Sequence, residues 1–242
     1  MRTKRSLFAS TLDFLEGVSS LPLPYEQLDL VVKVYHDSGL LGLEEWENVP
    51  LHCILVAKIA DRLSAMCQVI EKDELLLAAL FHDALKHGER SRTKELREAT
   101  QLSEGNAFAL AAVEQSQFLA RVGVPDKVVA MSKLSGHTSL AYFRSGKANL
   151  EESIFHIADD LAGGEDGTVV VMIDDRMADL AIRYPFMLTD GRDELNGETY
   201  LEVQRRLAKG ILDMLAQYGG YANGEHLNGT LVEEFKHQDH TV

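Results

Sequence analysis

Three short stretches of this chain carry side chains that could share one metal ion. His82-Asp83 closes the apolar run Leu75-Leu76-Leu77-Ala78-Ala79-Leu80-Phe81. A helix that is hydrophobic almost all round is buried, and even a neutral polar group left unpartnered there costs ~2–7 kcal/mol. A divalent cation removes that penalty by pairing the carboxylate and taking the imidazole lone pair. His52 lies one helical step before Val56 and begins the apolar stripe Val56, Ile59, Ala60, Leu63, Met66, Cys67, Ile70, so it points inward. The plain alternative is a core histidine bonded to a backbone carbonyl. The third stretch, Ile154-Phe155-His156-Ile157-Ala158-Asp159-Asp160-Leu161, is apolar apart from its histidine and two aspartates. Consecutive aspartates point ~100° apart on a helix, so the two cannot play one role. The plain alternative there is one aspartate in solvent and the other capping or pairing with an arginine.

The elements that must position these groups read as helices. Short amphipathic helices are expected over 6–17 and 25–38, separated by Pro22 and Pro24, and a long helix from about Pro50. The buried helix spans 73–87 with Asp73 as its N-cap. The charged segment 89–104 reads as exposed helix or loop. Helices follow at 106–121 and 126–134, divided by Gly123-Val124-Pro125, and a loop from Gly136 to Lys147 leads to a helix at 149–162. Residues 168–173 fit a strand or a buried helical turn equally well. Helices at about 174–185 and 198–218 complete an all-α architecture, ending in a polar, glycine-bearing tail expected to be partly mobile.

Composition bounds the function. With 242 residues the chain can bury a sizeable core, and 45% hydrophobic with 26% charged residues is an ordinary globular balance. The net charge of −14 repels nucleic-acid polymers and anionic membranes. Cys53 and Cys67, on one helix, would lie ~21 Å apart at 1.5 Å per residue, too far for a disulfide. Reduced thiols, no signal peptide and no apolar run long enough for a membrane span lead to an expectation of a cytoplasmic protein.

The order and framing of the three stretches resemble the HD-domain superfamily of metal-dependent phosphohydrolases. That family places a histidine on one helix, a His-Asp doublet on the next, and a last aspartate in an Ala-Asp sequence. The matching stretches are His52-Cys53-Ile54-Leu55-Val56-Ala57, Ala79-Leu80-Phe81-His82-Asp83 and Ile157-Ala158-Asp159-Asp160-Leu161. The resemblance implies an HD-like helical core over about 50–163 in a single domain, 1–242. Helical additions then occupy 1–49 and 164–220, and the tail 221–242. It implies His52, His82, Asp83 and Asp159 as metal ligands. Asp61, in a second Ala-Asp of the first helix, shares its face with Lys58, Ser64 and Gln68 and is read as solvated instead.

Two imidazoles and two carboxylates suit one divalent ion: Mn, Fe, Co, Ni, Zn or Mg. Such an ion polarises a phosphoryl oxygen and lowers the pKa of water toward ~7. Lys86 stands where many family members carry a lysine, and reads as one turn beyond His82 on the same face. It would stabilise charge on the phosphoryl group, or else merely reach solvent at the helix end. Gly136-His137-Thr138 resembles the second of two further histidines in dinuclear members, while Glu104 and Asn106 stand where the first would be. The resemblance therefore implies a single ion, with His137 contacting substrate phosphate or acting as general acid. Asp83, Lys86 and His137 form the expected catalytic set.

The expected activity is hydrolysis of a phosphate mono- or diester of a small, nucleotide-like phosphorylated substrate. A non-catalytic metal or nucleotide sensor is the alternative, and a helical scaffold with a buried His-Asp couple the third reading. A homodimer would be unsurprising.

Overall fold

A computed structural model describes residues 7–41, 48–164 and 167–236. The helical periodicity prevails nearly everywhere: the fold is all-α, 73% helical, with twelve α-helices among the described residues. They are α1 Leu7–Ser19, α2 Tyr25–Asp37, α3 Asn48–Met66, α4 Asp73–Phe81, α5 Lys86–Thr100 and α6 Glu104–Val122. The rest are α7 Asp126–Ser132, α8 Leu140–Arg144, α9 Leu150–Leu161, α10 Ile173–Arg183, α11 Tyr200–Gly219 and α12 Gly224–Lys236.

The core forms where α3, α4 and α9 pack on one another. Every residue of α4 from Leu75 to Phe81 is buried, as a helix apolar on all sides must be. Local chemistry fixes the starts of the flanking helices. Asn149 accepts from the Glu152 N–H at 2.9 Å while Glu152 accepts from the Asn149 N–H at 2.9 Å, a reciprocal cap that sets where α9 begins. Thr199 and Glu202 do the same for α11.

Several boundaries differ from those expected. The buried helix ends at Phe81 rather than 87; residues 82–85 form a turn, and Lys86 opens α5, so Lys86 is not on the helix of His82. Asp73 is not the N-cap. Lys72 holds that place without a side-chain cap, and the Asp73 carboxylate accepts from Gln27 Nε2 at 3.1 Å. The supposed loop after Gly136 contains a 3₁₀ turn, His137–Ser139, and α8.

The β-branched stretch resolves as strand: β1, Ala162–Gly163, pairs antiparallel with β2, Val169–Val170. This hairpin returns the chain over α3. A side chain at Gly167, which has φ +70°, would meet His52 Nδ1 at 3.0 Å, so the close approach of backbone to imidazole requires glycine.

The tail is not mobile as a whole. Residues 224–236 form α12, which packs on α11 and buries Leu227, Asn228 and Leu231, while 237–242 lie outside the described residues. Burial of its apolar stripe explains why this segment holds as a helix despite Gly224 and Gly229. No helix among the described residues is long and apolar enough to cross a membrane.

Candidate metal centre

Two histidines and an aspartate meet where α3, the end of α4 and α9 converge. The ligand atoms of His52, His82 and Asp83 lie within 4.8 Å of one another, so this group could hold a metal ion. Asp159 joins them from α9: its Oδ1 lies 3.3 Å from His52 Nε2 and 3.3 Å from His82 Nε2. His82 Nε2 is also 3.9 Å from Asp83 Oδ2. Two atoms bound to one ion at about 2.1 Å are separated by about 3.0–3.4 Å at right or tetrahedral angles. The imidazole-to-Asp159 spacing fits that range.

Backbone carbonyls orient both rings. His82 Nδ1 donates to the Ala79 carbonyl at 2.7 Å, and His52 Nδ1 donates to the Gly167 carbonyl at 2.7 Å. In each neutral ring the Nε2 lone pair is therefore turned toward the Asp159 carboxylate. Lone pair against carboxylate is repulsive unless a cation or a proton lies between. His82 Nε2 is buried without a hydrogen bond of acceptable geometry, although Asp159 is near. An orphaned imidazole nitrogen beside two carboxylates fits a metal ligand, and the carbonyl bond at the other nitrogen is the usual support for one. His52 thus meets both expectations, bonding a backbone carbonyl with one nitrogen and facing the cluster with the other.

Without a metal, protons must balance the charge. Burial works against an imidazolium at His82, but Cys53, Asp83 and Asp159 outweigh it and lift His82 well above the ordinary histidine value. Burial likewise opposes ionisation of Asp159, yet His82 and His52 hold it well below the usual carboxylate range. Asp83 is lowered too, against burial, by Lys86, His82 and His52. Metal and proton would compete for one place.

The turn carrying His82 and Asp83 is clamped by Gln115 of α6. Its amide nitrogen donates to the His82 carbonyl, and its oxygen accepts from the Leu85 N–H at 3.2 Å. Nothing in the periodicity marks this residue; only the packing of α6 on the turn reveals it.

Lys86 approaches from α5, its ammonium 3.4 Å from Asp83 Oδ1 and 2.9 Å from Glu89. Burial would lower its pKa, but those carboxylates raise it well above the lysine value, so it is charged. His137 lines the same cavity but does not join the metal cluster. It is ringed by Phe108, Phe186 and Tyr200, and its Nε2 donates to the Gly105 carbonyl at 3.2 Å. Burial, with Lys86 adding to it against the Gly105 carbonyl, lowers its pKa to about 4. His137 is therefore neutral at pH 7.

The cluster opens into a cavity of about 650 Å³. Lys86, Lys133, Arg176, Arg183 and Tyr184 reach its wall, as do the rings of Phe108 and Phe186. Asp61 is not a ligand. It pairs with Lys72 away from the cluster. Asp160 is buried instead of solvated, and His156 is packed inside with its Nδ1 bonded to the Leu134 carbonyl at 2.8 Å. Glu104 pairs with Arg97, and Asn106 offers its backbone N–H to the Ser103 cap. His87 also lines the cavity, its Nδ1 buried without a partner. The turn at 82–85 swings α5 around the site and brings His87 to the cavity. His237 and His240 lie outside the described residues.

No protein-family model, characterised protein or solved structure matches this chain. The class of the protein is therefore read from the site alone.

Proposed function

We propose that this chain is an HD-like, metal-dependent phosphohydrolase that cleaves a phosphate mono- or diester of a small, nucleotide-like substrate. The observation that carries the reading is the convergence of the His52 and His82 Nε2 atoms on the Asp159 carboxylate beside Asp83, at the edge of a cavity large enough for a small molecule. His52, His82, Asp83 and Asp159 would hold one divalent ion. When bound, the ion supplies Lewis acidity, polarising a phosphoryl oxygen and making water more acidic at neutral pH.

The surrounding residues support phosphate as the bound group. Five cationic side chains, among them Lys86 and Arg183, line the cavity beside five carboxylates. Lys86, charged and held by Asp83, is placed to stabilise charge developing on the phosphoryl group. Neutral His137 spends its one N–H on the Gly105 carbonyl, so its Nδ1 can only accept, and contact with a substrate donor suits it better than general acid work. Phe108, Tyr184 and Phe186 present aromatic surface on which a base could stack.

The test is turnover of generic phosphoesters and a nucleotide panel by protein loaded with Mn²⁺, Co²⁺ or Ni²⁺, beside Asp83→Ala. A phosphohydrolase loses bound metal and activity together in the variant. Metal-loaded wild type that turns over none of the panel would favour a sensor.

A further inference from the structure

On the face of α9 next to Asp159, a second polar group is built into the cavity wall. Asp160, His156 and Gln204 are almost fully buried, at 2%, 1% and 1% exposure. The His156 Nδ1 bond to Leu134 leaves its Nε2 as an acceptor. Gln204 Nε2 lies 3.1 Å from that nitrogen and 2.6 Å from Asp160 Oδ2, so both amide hydrogens are used. The reverse amide orientation would set Gln204 Oε1 against a lone pair and a carboxylate oxygen. The amide is thus locked, and its oxygen is turned away from both partners.

That oxygen is buried and has no hydrogen-bond partner, while Gln204 lines the cavity shared with the metal cluster. Arg176 of α10 lines the same wall. Its NH1 group lies 3.4 Å from Asp179, its charge acts on Asp160, and its Nε is buried without a partner. An acceptor on Gln204 and a donor on Arg176, residues that line one cavity, are thus buried with no hydrogen-bond partner. A buried acceptor held rigidly and unpaired is costly, and the cost is recovered when a ligand supplies the missing donor. Phosphate oxygens have no proton to give Gln204, whereas hydroxyls, which both donate and accept, can satisfy Gln204 Oε1 and Arg176 Nε alike.

We propose that Gln204 and Arg176 form a hydroxyl-recognition subsite, which selects phosphoesters of sugars or other polyols over analogues without hydroxyls. The phosphate half of this claim rests on the phosphohydrolase reading. The hydroxyl half rests on the locked amide.

Calorimetric titration of the Mn²⁺-loaded full chain tests it, with ribose 5-phosphate and pentyl phosphate as probes. Pentyl phosphate keeps the five carbons and the phosphate and removes every hydroxyl. Wild type is expected to bind ribose 5-phosphate about 10- to 100-fold more tightly. Gln204→Met and Arg176→Lys, with metal content checked, should each weaken ribose 5-phosphate about tenfold and leave pentyl phosphate where it was. Arg176→Lys keeps the charge and carries the test if Gln204→Met does not fold. Equal affinity for the two probes, binding of neither, or variants that weaken both alike would overturn the subsite. Preferential binding without hydrolysis of any phosphoester would sink the phosphohydrolase reading and leave the subsite standing. Turnover of phosphoesters with no hydroxyl preference would do the reverse.

Discussion

At the residue scale the site is decided by which nitrogen of each histidine is spoken for. Ala79 and Gly167 take the Nδ1 protons, so both Nε2 atoms face Asp159. If the chain is the proposed phosphohydrolase, Lys86→Met should leave about one metal per chain and lower kcat about 10²-fold or more, because the substitution would remove a charge beside the phosphoryl group without removing a ligand. Loss of metal along with activity would show instead that Lys86 acts by holding Asp83. His137 gives a prediction about pH. Its folded pKa of about 4 lies below the ordinary 6.5, so the neutral form stabilises the fold. That contribution is complete above pH 6.5 and is lost as pH falls toward 4, by roughly 3 kcal/mol at most. His137→Gln, which can still donate to Gly105, should flatten thermal stability against pH across that window. An unchanged slope would contradict the assignment. The candidate ligands and the inward face of His52 were legible because an apolar frame surrounds each of them. Gln115, Gln204 and the buried state of Asp160 were not, because each depends on a partner distant in sequence that periodicity does not register.

At the element scale the decisive departure is the break after Phe81. A continuous helix to residue 87 would have carried Lys86 on past His82 along one axis. The turn at 82–85, clamped by Gln115, instead lets α5 fold back and brings Lys86 against Asp83. The apolar run shows that α4 is buried but carries no signal for where it stops, since no proline or glycine lies before Gly88. The C-terminal segment teaches the converse. Its glycines read as a partly mobile tail and gave no sign of α12, which Asn228 ties to α10: Asn228 Oδ1 accepts from the Ile173 N–H at 2.8 Å, and its Nδ2 donates to the Val171 carbonyl at 3.0 Å. Asn228→Ala leaves two buried backbone groups unpaired and should destabilise the protein by about 2–4 kcal/mol, read as a lower midpoint in urea. A shift near zero would mean that α12 does not support the start of α10.

At the scale of the whole molecule, segments on both sides of the central helices close one cavity. α5 and α6 supply Lys86, Glu89 and Phe108, while α10 and α11 supply Arg176, Arg183 and Gln204. The all-α class was legible from periodicity alone. That the C-terminal helices complete the cavity wall was not, because one sequence carries no record of which helices meet. A cation that displaces the balancing proton from this cluster and binds only the folded chain should raise the stability of the entire fold. The most direct measurement is elemental analysis of the purified protein and of Asp83→Ala, before and after incubation with Mn²⁺, Co²⁺, Ni²⁺ or Zn²⁺. One divalent ion per wild-type chain, lost in the variant, is the predicted result. A well-folded wild type that contains no metal and takes up none would contradict the metal centre and leave His82-Asp83 as a buried couple.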